Sequence, residues 1–185
     1  MEIDKYYKWL FGETRTSINQ RYLKKIPKDA RILEIGCSRG IQLNHLQKMG
    51  FTNLWGLEIN KKACTLASDN PKLKITQGNA INIPFPDESF DLVFTSGVLI
   101  HILPYQLQQA IREIVRVSKK YIWCLEYFEN RMEMVKYRGI KNLLWKNNFK
   151  EKFILYHDLR VVKCEKLSYI HDDNIDEIFL LEKNP

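Results

Sequence analysis

The feature that most constrains this chain is the stretch Arg31-Ile32-Leu33-Glu34-Ile35-Gly36-Cys37-Ser38-Arg39-Gly40-Ile41-Gln42-Leu43. Ile32, Leu33 and Ile35 form a dense apolar run, which predicts a buried strand. The run breaks at Gly36. Past Gly40 the apolar residues Leu43, Leu46 and Met49 recur at helical spacing. A strand that ends in small residues and feeds a helix puts free backbone N–H groups at the carboxyl edge of a sheet, a place to hold a nucleotide-like ligand. Glu34 falls inside the strand, where a carboxylate is costly unless it is hydrogen-bonded. Two nucleotide-binding patterns fail here. A dinucleotide turn needs Gly-x-Gly-x-x-Gly, and Ser38 and Ile41 occupy the second and third glycine positions. No Gly-Lys-Ser/Thr follows, so the P-loop is absent.

The rest of the chain alternates strand-like and helix-like segments. Ile18, Tyr22 and Ile26 recur at four-residue steps and predict an amphipathic helix that Pro27 stops. Ahead of it, Tyr6, Tyr7, Trp9 and Phe11 crowd before Gly12. They read as a satellite of the core or as a lid over a ligand, and both readings stay open. Gly50 is placed to cap the helix that follows the opening turn. Leu54–Ile59, Leu73–Ile75, Phe90–Phe94 and Tyr121–Leu125 read as further strands. Helices run from Asn60 to Ala67 and from Pro104 to Val115. This alternation demands right-handed crossovers and a mainly parallel sheet with helices on both faces. Arg160–Leu167 and Ile178–Leu181 have no helix between them, so they should pair antiparallel. At 185 residues the whole, 1–185, is read as one domain, with a lid and helix in 1–27 and an insertion in 128–158.

The opening turn resembles motif I of the class I S-adenosylmethionine-dependent methyltransferases, Glu/Asp-x-Gly-x-Gly-x-Gly. Here it reads Glu34-Ile35-Gly36-Cys37-Ser38-Arg39-Gly40, with Ser38 replacing the middle glycine. Ser38 is small enough for a ligand to approach, but a residue that takes positive φ without strain has been lost. The resemblance implies a Rossmann-like α/β fold with a mainly parallel seven-stranded sheet ending in an antiparallel hairpin. It also implies S-adenosylmethionine as cofactor and S-adenosylhomocysteine as product, with Glu34, Gly36, Cys37, Ser38 and Gly40 in the cofactor loop.

Further residues take their places around that loop. Glu58 follows Gly36 by 22 residues, at the end of the second strand. An acid about 20 residues past the turn is placed to accept both ribose hydroxyls. Ile59 and Ala80 would wall the adenine, and Asn79 resembles the family's adenine-edge residue. The fourth strand opens onto Thr95–Ile102, where Ser96 and Gly97 would face the methionine part. His101 is a candidate general base, or else a histidine that packs or caps the following helix. Glu126 and Tyr127, ending the fifth strand, are read as facing the same crevice. Methyl transfer itself asks mainly for orientation and exclusion of water, worth roughly 7–11 kcal/mol.

The runs Thr95–Ile102, Cys124–Phe128, Tyr137-Arg138-Gly139, Leu143–Lys146 and Asp172-Asp173-Asn174 are similar to the small methylases associated with pseudaminic acid biosynthesis. The run Trp9-x-Phe11-Gly12 is similar too. That family implies methylation linked to an acidic nine-carbon sugar. The charge distribution agrees. The chain carries +7 overall, and residues 131–152 hold seven basic side chains against two acids. Tyr7, Tyr137, Arg138, Trp145 and Lys146 are therefore expected to bind a small anionic acceptor, a sugar or sugar nucleotide. An RNA or tRNA acceptor and a non-catalytic cofactor-binding protein are the rival readings. No Cys-x-x-Cys occurs among Cys37, Cys64, Cys124 and Cys164, so no metal site is expected. Three of the four read as small core residues. A cytoplasmic monomer or homodimer, with no membrane partner, is expected.

Overall fold

The structure, a computed structural model, describes residues 2–184, so the terminal residues of the expected domain lie outside it. The elements in order are α1 (Ile3–Phe11), α2 (Arg15–Leu23), β1 (Arg31–Ile35), α3 (Ile41–Lys48), β2 (Asn53–Glu58), α4 (Lys61–Ala67) and β3 (Leu73–Gln77). Then come β4 (Phe90–Ser96), α5 (Pro104–Val117), β5 (Ser118–Tyr127), β6 (Glu133–Tyr137), β7 (Ile140–Lys146), α6 (Phe149–Tyr156), β8 (Leu159–Ser168) and β9 (Ile175–Lys183). A short 3-10 turn, Leu99–His101, lies between β4 and α5.

Seven strands form one sheet in the order β3-β2-β1-β4-β5-β9-β8. The first five are parallel, and β9 and β8 are antiparallel, as the sequence predicts. Strand order reverses at β1 and β4, which pair side by side, so the carboxyl edge there opens a crevice. Both sheet faces are covered, and the alternation of side chains divides the core in two. Leu33, Ile35, Val93 and Ile122 face α5 and α6. Ile32, Leu92, Phe94 and Trp123 face α2 and α3. That double cover is why β1 and β4 are dense in apolar residues on both faces.

Helix ends follow local chemistry. The Asn60 side chain accepts the N–H groups of Lys62 and Ala63, at 3.0 and 3.1 Å, and starts α4. Gly12, at φ +76°, closes α1. The aromatic cluster before Gly12 is thus a helix of its own. Its carboxyl end is tied down by the Ile170 N–H on the Leu10 carbonyl at 2.9 Å. Two cysteines, Cys37 and Cys124, are buried, whereas Cys64 and Cys164 are only half-buried, one fewer core cysteine than expected. Among the described residues no helix is long and apolar enough to cross a membrane.

The sheet packs tightly against the turn after β1. A Cβ on Gly56 would stand 2.5 Å from Cys37 Sγ and 2.9 Å from Ile75 Cδ1. Overpacking of this kind costs about 1–3 kcal/mol. Gly56→Ala is therefore expected to lower unfolding free energy by that amount in urea titrations. An unchanged midpoint would contradict the packing.

Candidate active site

The loop after β1 is built by its backbone. Gly36 and Cys37 both donate N–H to the Leu57 carbonyl, at 2.7 and 3.1 Å, and Gly40 donates to the Cys37 carbonyl at 2.8 Å. Gly36 has φ +69° and Gly40 φ +71°. Ser38 also takes a left-handed φ, +47°. That conformation costs a serine about 1–2 kcal/mol, so the strain expected from losing glycine is present. A hydrogen bond offsets it: Ser38 N–H donates to Glu58 Oε2 at 2.8 Å.

Two cavities flank this loop. The first, about 280 Å³, is lined by Gly36, Leu57, Ile59, Asn79, Ala80, Val98 and His101, with neighbours from α5. The second, about 490 Å³, lies under α1, whose Ile3, Tyr6, Tyr7, Leu10 and Phe11 form its roof. Its other walls include Glu34, Gly36, Cys37, Ser38, Ser96, Gly97, His101, Tyr127 and Tyr137. Gly36 and His101 line both, so the cavities meet across the turn.

Most residues singled out from sequence therefore converge, and several do not. Glu58 ends β2 as its spacing predicts, but lines neither cavity. Its oxygens accept the N–H groups of Ser38 and Asn60, both at 2.8 Å, so its first task is to hold the loop. Gly40 caps α3 behind the turn. Asn79 Oδ1 is taken by the Ile81 N–H at 3.1 Å, which leaves its amide NH2 for a ligand. Cys37 lines the cavity, yet burial, with Glu34 and Glu58 beside it, pushes its thiol up and keeps it protonated.

Glu126 needs correction as a crevice residue. Leu125 and Tyr127 line the larger cavity, and Glu126, between them on a strand, points the other way. Its carboxyl group is buried and accepts the Val98 N–H at 2.9 and 3.1 Å, fixing the turn that carries His101. His101 stands exposed at the mouth. Its Nδ1 lies 2.7 Å from the Leu143 carbonyl, an acceptor, so Nδ1 is the donor of that bond. The histidine thus braces β7 and not the following helix.

The anion clamp needs the same correction. Trp145 is buried, on the opposite face of β7 from Leu144, which lines the cavity. Lys146 Nζ donates to Asn174 Oδ1 at 2.6 Å. Arg138 sits exposed at the tip of the β6–β7 hairpin, its guanidinium 5.2 Å from the Tyr137 ring. Among the described residues no Lys or Arg lines the cavity.

Sequence reasoning missed three residues in and beside the site: Arg15, Tyr169 and Asp176. Arg15 is fully buried, its guanidinium between the rings of Tyr7 and Trp123 at 5.0 and 4.6 Å. Its Nη1 donates to Tyr7 Oη at 2.9 Å, while Nε and Nη2 have no partner. Asp176 lines the cavity from β9, and Tyr169 Oη donates to its Oδ1 at 3.2 Å. The one available signal was an acid inside the apolar strand Ile175–Leu181.

Burial shapes the titration of this cluster. It pushes Glu34 up to about 8, against the pull of Arg15. It pushes Glu126 up to about 7, against the Val98 N–H. Asp176 rises to about 7 through burial and the nearby Glu126. All three stay protonated in the folded chain where the unfolded chain has shed its protons, from about pH 4.5 upward. Stability from these groups is complete below the unfolded values and lost as pH rises through the folded ones. The melting temperature of the ligand-free protein is therefore expected to fall between pH 5 and pH 8. A flat or rising profile in thermal scans would contradict the burial of this cluster.

Comparison with known proteins settles the family. The methyltransferase-domain profile matches residues 33–137, from β1 through β6. The chain belongs to the methyltransferase-domain family. A sterol 24-C-methyltransferase of Gibberella zeae is 25% identical over 158 residues, 78% of this chain and 41% of that enzyme. An S-adenosylmethionine-dependent methyltransferase from Methanosarcina mazei superposes at TM-score 0.71 with 18% identity, over 90% of this chain and 96% of that one. The [4+2]-cyclase SpnF superposes at 0.74 with 16% identity, over 91% and 79%. The fold is therefore shared with a cyclase as well as methyltransferases. The chain spans less than half the length of the curated relatives it matches first.

The cofactor of this methyltransferase domain is S-adenosylmethionine, and the residues present fit it. Glu34 Oε2 is buried without a partner while the residue lines the larger cavity, which suits an ammonium group. A Cβ on Gly36 would stand 2.6 Å from Val98 Cγ2, so only glycine leaves the junction of the cavities open. The smaller cavity has the apolar walls an adenine needs in Ile59 and Ala80.

Proposed function

We propose that this methyltransferase domain transfers a methyl group from S-adenosylmethionine to a small acceptor held under α1. The observation that carries the reading is the meeting of two cavities at Gly36. The smaller would take the adenine against Asn79, Ala80 and Ile59, and the larger the amino-acid end against Glu34, Ser96 and Gly97. Glu58 would reach the ribose with the lone pairs its two backbone bonds leave free. When bound, the cofactor supplies a methyl group activated on a sulfonium. The chain's part is to orient the acceptor and exclude water, and α1 serves as the lid.

The acceptor in this proposal is a sugar or sugar nucleotide linked to pseudaminic-type nonulosonic acid synthesis, in the cytoplasm. The similarity of Thr95–Ile102, Cys124–Phe128 and the hairpin region to the methylases of that pathway supports it. Any negative charge on the acceptor would lie outside the cavity, near the exposed Lys136 and Arg138. The size of the larger cavity, about 490 Å³, and its aromatic lining favour a small molecule over a folded RNA.

The test is incubation with methyl-labelled S-adenosylmethionine and a polar extract from cells that make nonulosonic acids. Label on a small sugar-containing product is expected. Label confined to RNA or protein, or no transfer at all, would contradict the proposal.

A further inference from the structure

The larger cavity is lined by carboxyl groups and aromatic rings. Glu34 and Asp176 line it, and among the described residues no Lys or Arg does. Glu126 lies behind Asp176 and adds a third carboxyl to the cluster. Two cations lie near Asp176, and neither lines the cavity: Arg15, buried against the Tyr7 ring, and Lys146, whose Nζ donates to Asn174 Oδ1. S-adenosylmethionine brings an ammonium, a sulfonium and a carboxylate, a net single positive charge. With Glu34 facing the cofactor's ammonium, Asp176 is the carboxyl left toward the acceptor space, and its charged form gains from a cation that the acceptor brings.

The walls suit a cation. Tyr6, Tyr7, Tyr127, Tyr137 and Tyr169 line one space. Tyr127 and Tyr169 meet edge to face with centroids 5.8 Å apart, and Phe11 meets Tyr169 at 4.9 Å. Rings so arranged, with a carboxylate at the base, are the surroundings in which ammonium ions are recognised. The unpartnered Glu34 Oε2 is left to the cofactor's ammonium, so Asp176 is the carboxyl that faces the acceptor among these rings.

We infer that the acceptor group is an amine, which enters as an ammonium on Asp176 among the rings of Tyr127, Tyr137 and Tyr169 and is methylated on nitrogen. The inference rests on the methyl-transfer reading of the same cavity. One ammonium proton passes to the Asp176 carboxylate, which frees the nitrogen lone pair. The C–N bond then forms as the methyl C–S bond breaks, and sulfur keeps the electron pair. The product leaves as a methylammonium, and Asp176 returns its proton to solvent. The raised affinity of Asp176 for protons, to about 7, suits a group that accepts one near neutrality.

The test uses the full chain saturated with S-adenosylhomocysteine. Trimethylammonium chloride, tert-butanol and sodium pivalate are titrated in turn, with binding read by ligand-observed NMR. Trimethylammonium is expected to bind at least about tenfold more tightly than either of the others, the preference a carboxylate among aromatic rings gives a cation. Asp176→Asn should weaken it by a similar factor, and Asp176→Glu should retain most of the affinity. Should Asp176→Asn fail to bind S-adenosylhomocysteine, the wild-type order of the three probes decides. Equal or tighter binding of tert-butanol or pivalate would overturn the inference, as would an Asp176→Asn variant that binds trimethylammonium normally. Failure of the wild type to bind S-adenosylhomocysteine would instead overturn the cofactor reading beneath it.

Discussion

Gly36→Ala is expected to lower S-adenosylmethionine affinity at least about 100-fold, a loss of roughly 3 kcal/mol. The backbone at Gly36 is left-handed, at φ +69°, where a Cβ costs about 1–2 kcal/mol. That Cβ would also lie 2.6 and 3.0 Å from the two methyls of Val98. Val98 has little room to yield, because its N–H is held by both oxygens of Glu126. Strain alone would therefore displace the loop. The methyl group also stands at the junction of the two cavities, where a ligand spanning them must pass. Calorimetry on the variant checks this, with thermal melting to separate misfolding from blocked binding. Affinity within about threefold of wild type, under 1 kcal/mol, would mean that no ligand crosses Gly36.

Glu58→Ala has the second largest expected effect, at least about 30-fold weaker cofactor binding, or roughly 2 kcal/mol. The carboxylate holds Ser38 N–H and Asn60 N–H, each at 2.8 Å, from a position only 8% exposed. A hydrogen bond to a charged group contributes about 1.5–3 kcal/mol. Removing the carboxylate strands both donors and releases Ser38 from the left-handed conformation that the first bond supports. The loop loses its shape even before any contact to a ribose is counted. Glu58→Gln should fall between, since an amide oxygen accepts one N–H while its NH2 repels the other. If the alanine variant bound S-adenosylmethionine as well as wild type, Glu58 would have neither role.

Much of the fold is legible in the sequence because its strands are buried on both faces. Dense apolar stretches such as Ile32, Leu33 and Ile35, and Leu92–Phe94, mark such strands. The turn after β1 is legible because a strand end, small residues and an acid at the spacing of a ribose partner fall together in the sequence. What sequence reasoning misplaces has a common physical cause. It assigns Glu126 and Tyr127 together to the crevice, and Arg138, Trp145 and Lys146 together to a clamp. Neighbours on a strand point to opposite faces, so Tyr127 lines the cavity and Glu126 supports Val98. Counting charge in residues 131–152 ignores that much of this window forms a hairpin, whose alternation turns Trp145 away from Leu144. Arg15 and Asp176 escape notice for another reason. Their importance comes from long-range pairing, Asp176 facing Tyr127 across β5 and β9 and Arg15 stacking on Trp123. No local pattern encodes that register.

The central claim is that the paired cavities at Gly36 form one site for S-adenosylmethionine. Its most direct test is calorimetric titration of the wild-type chain with S-adenosylmethionine near neutral pH. Saturable binding of one cofactor per chain is the result predicted here. Absence of binding at millimolar cofactor would contradict it.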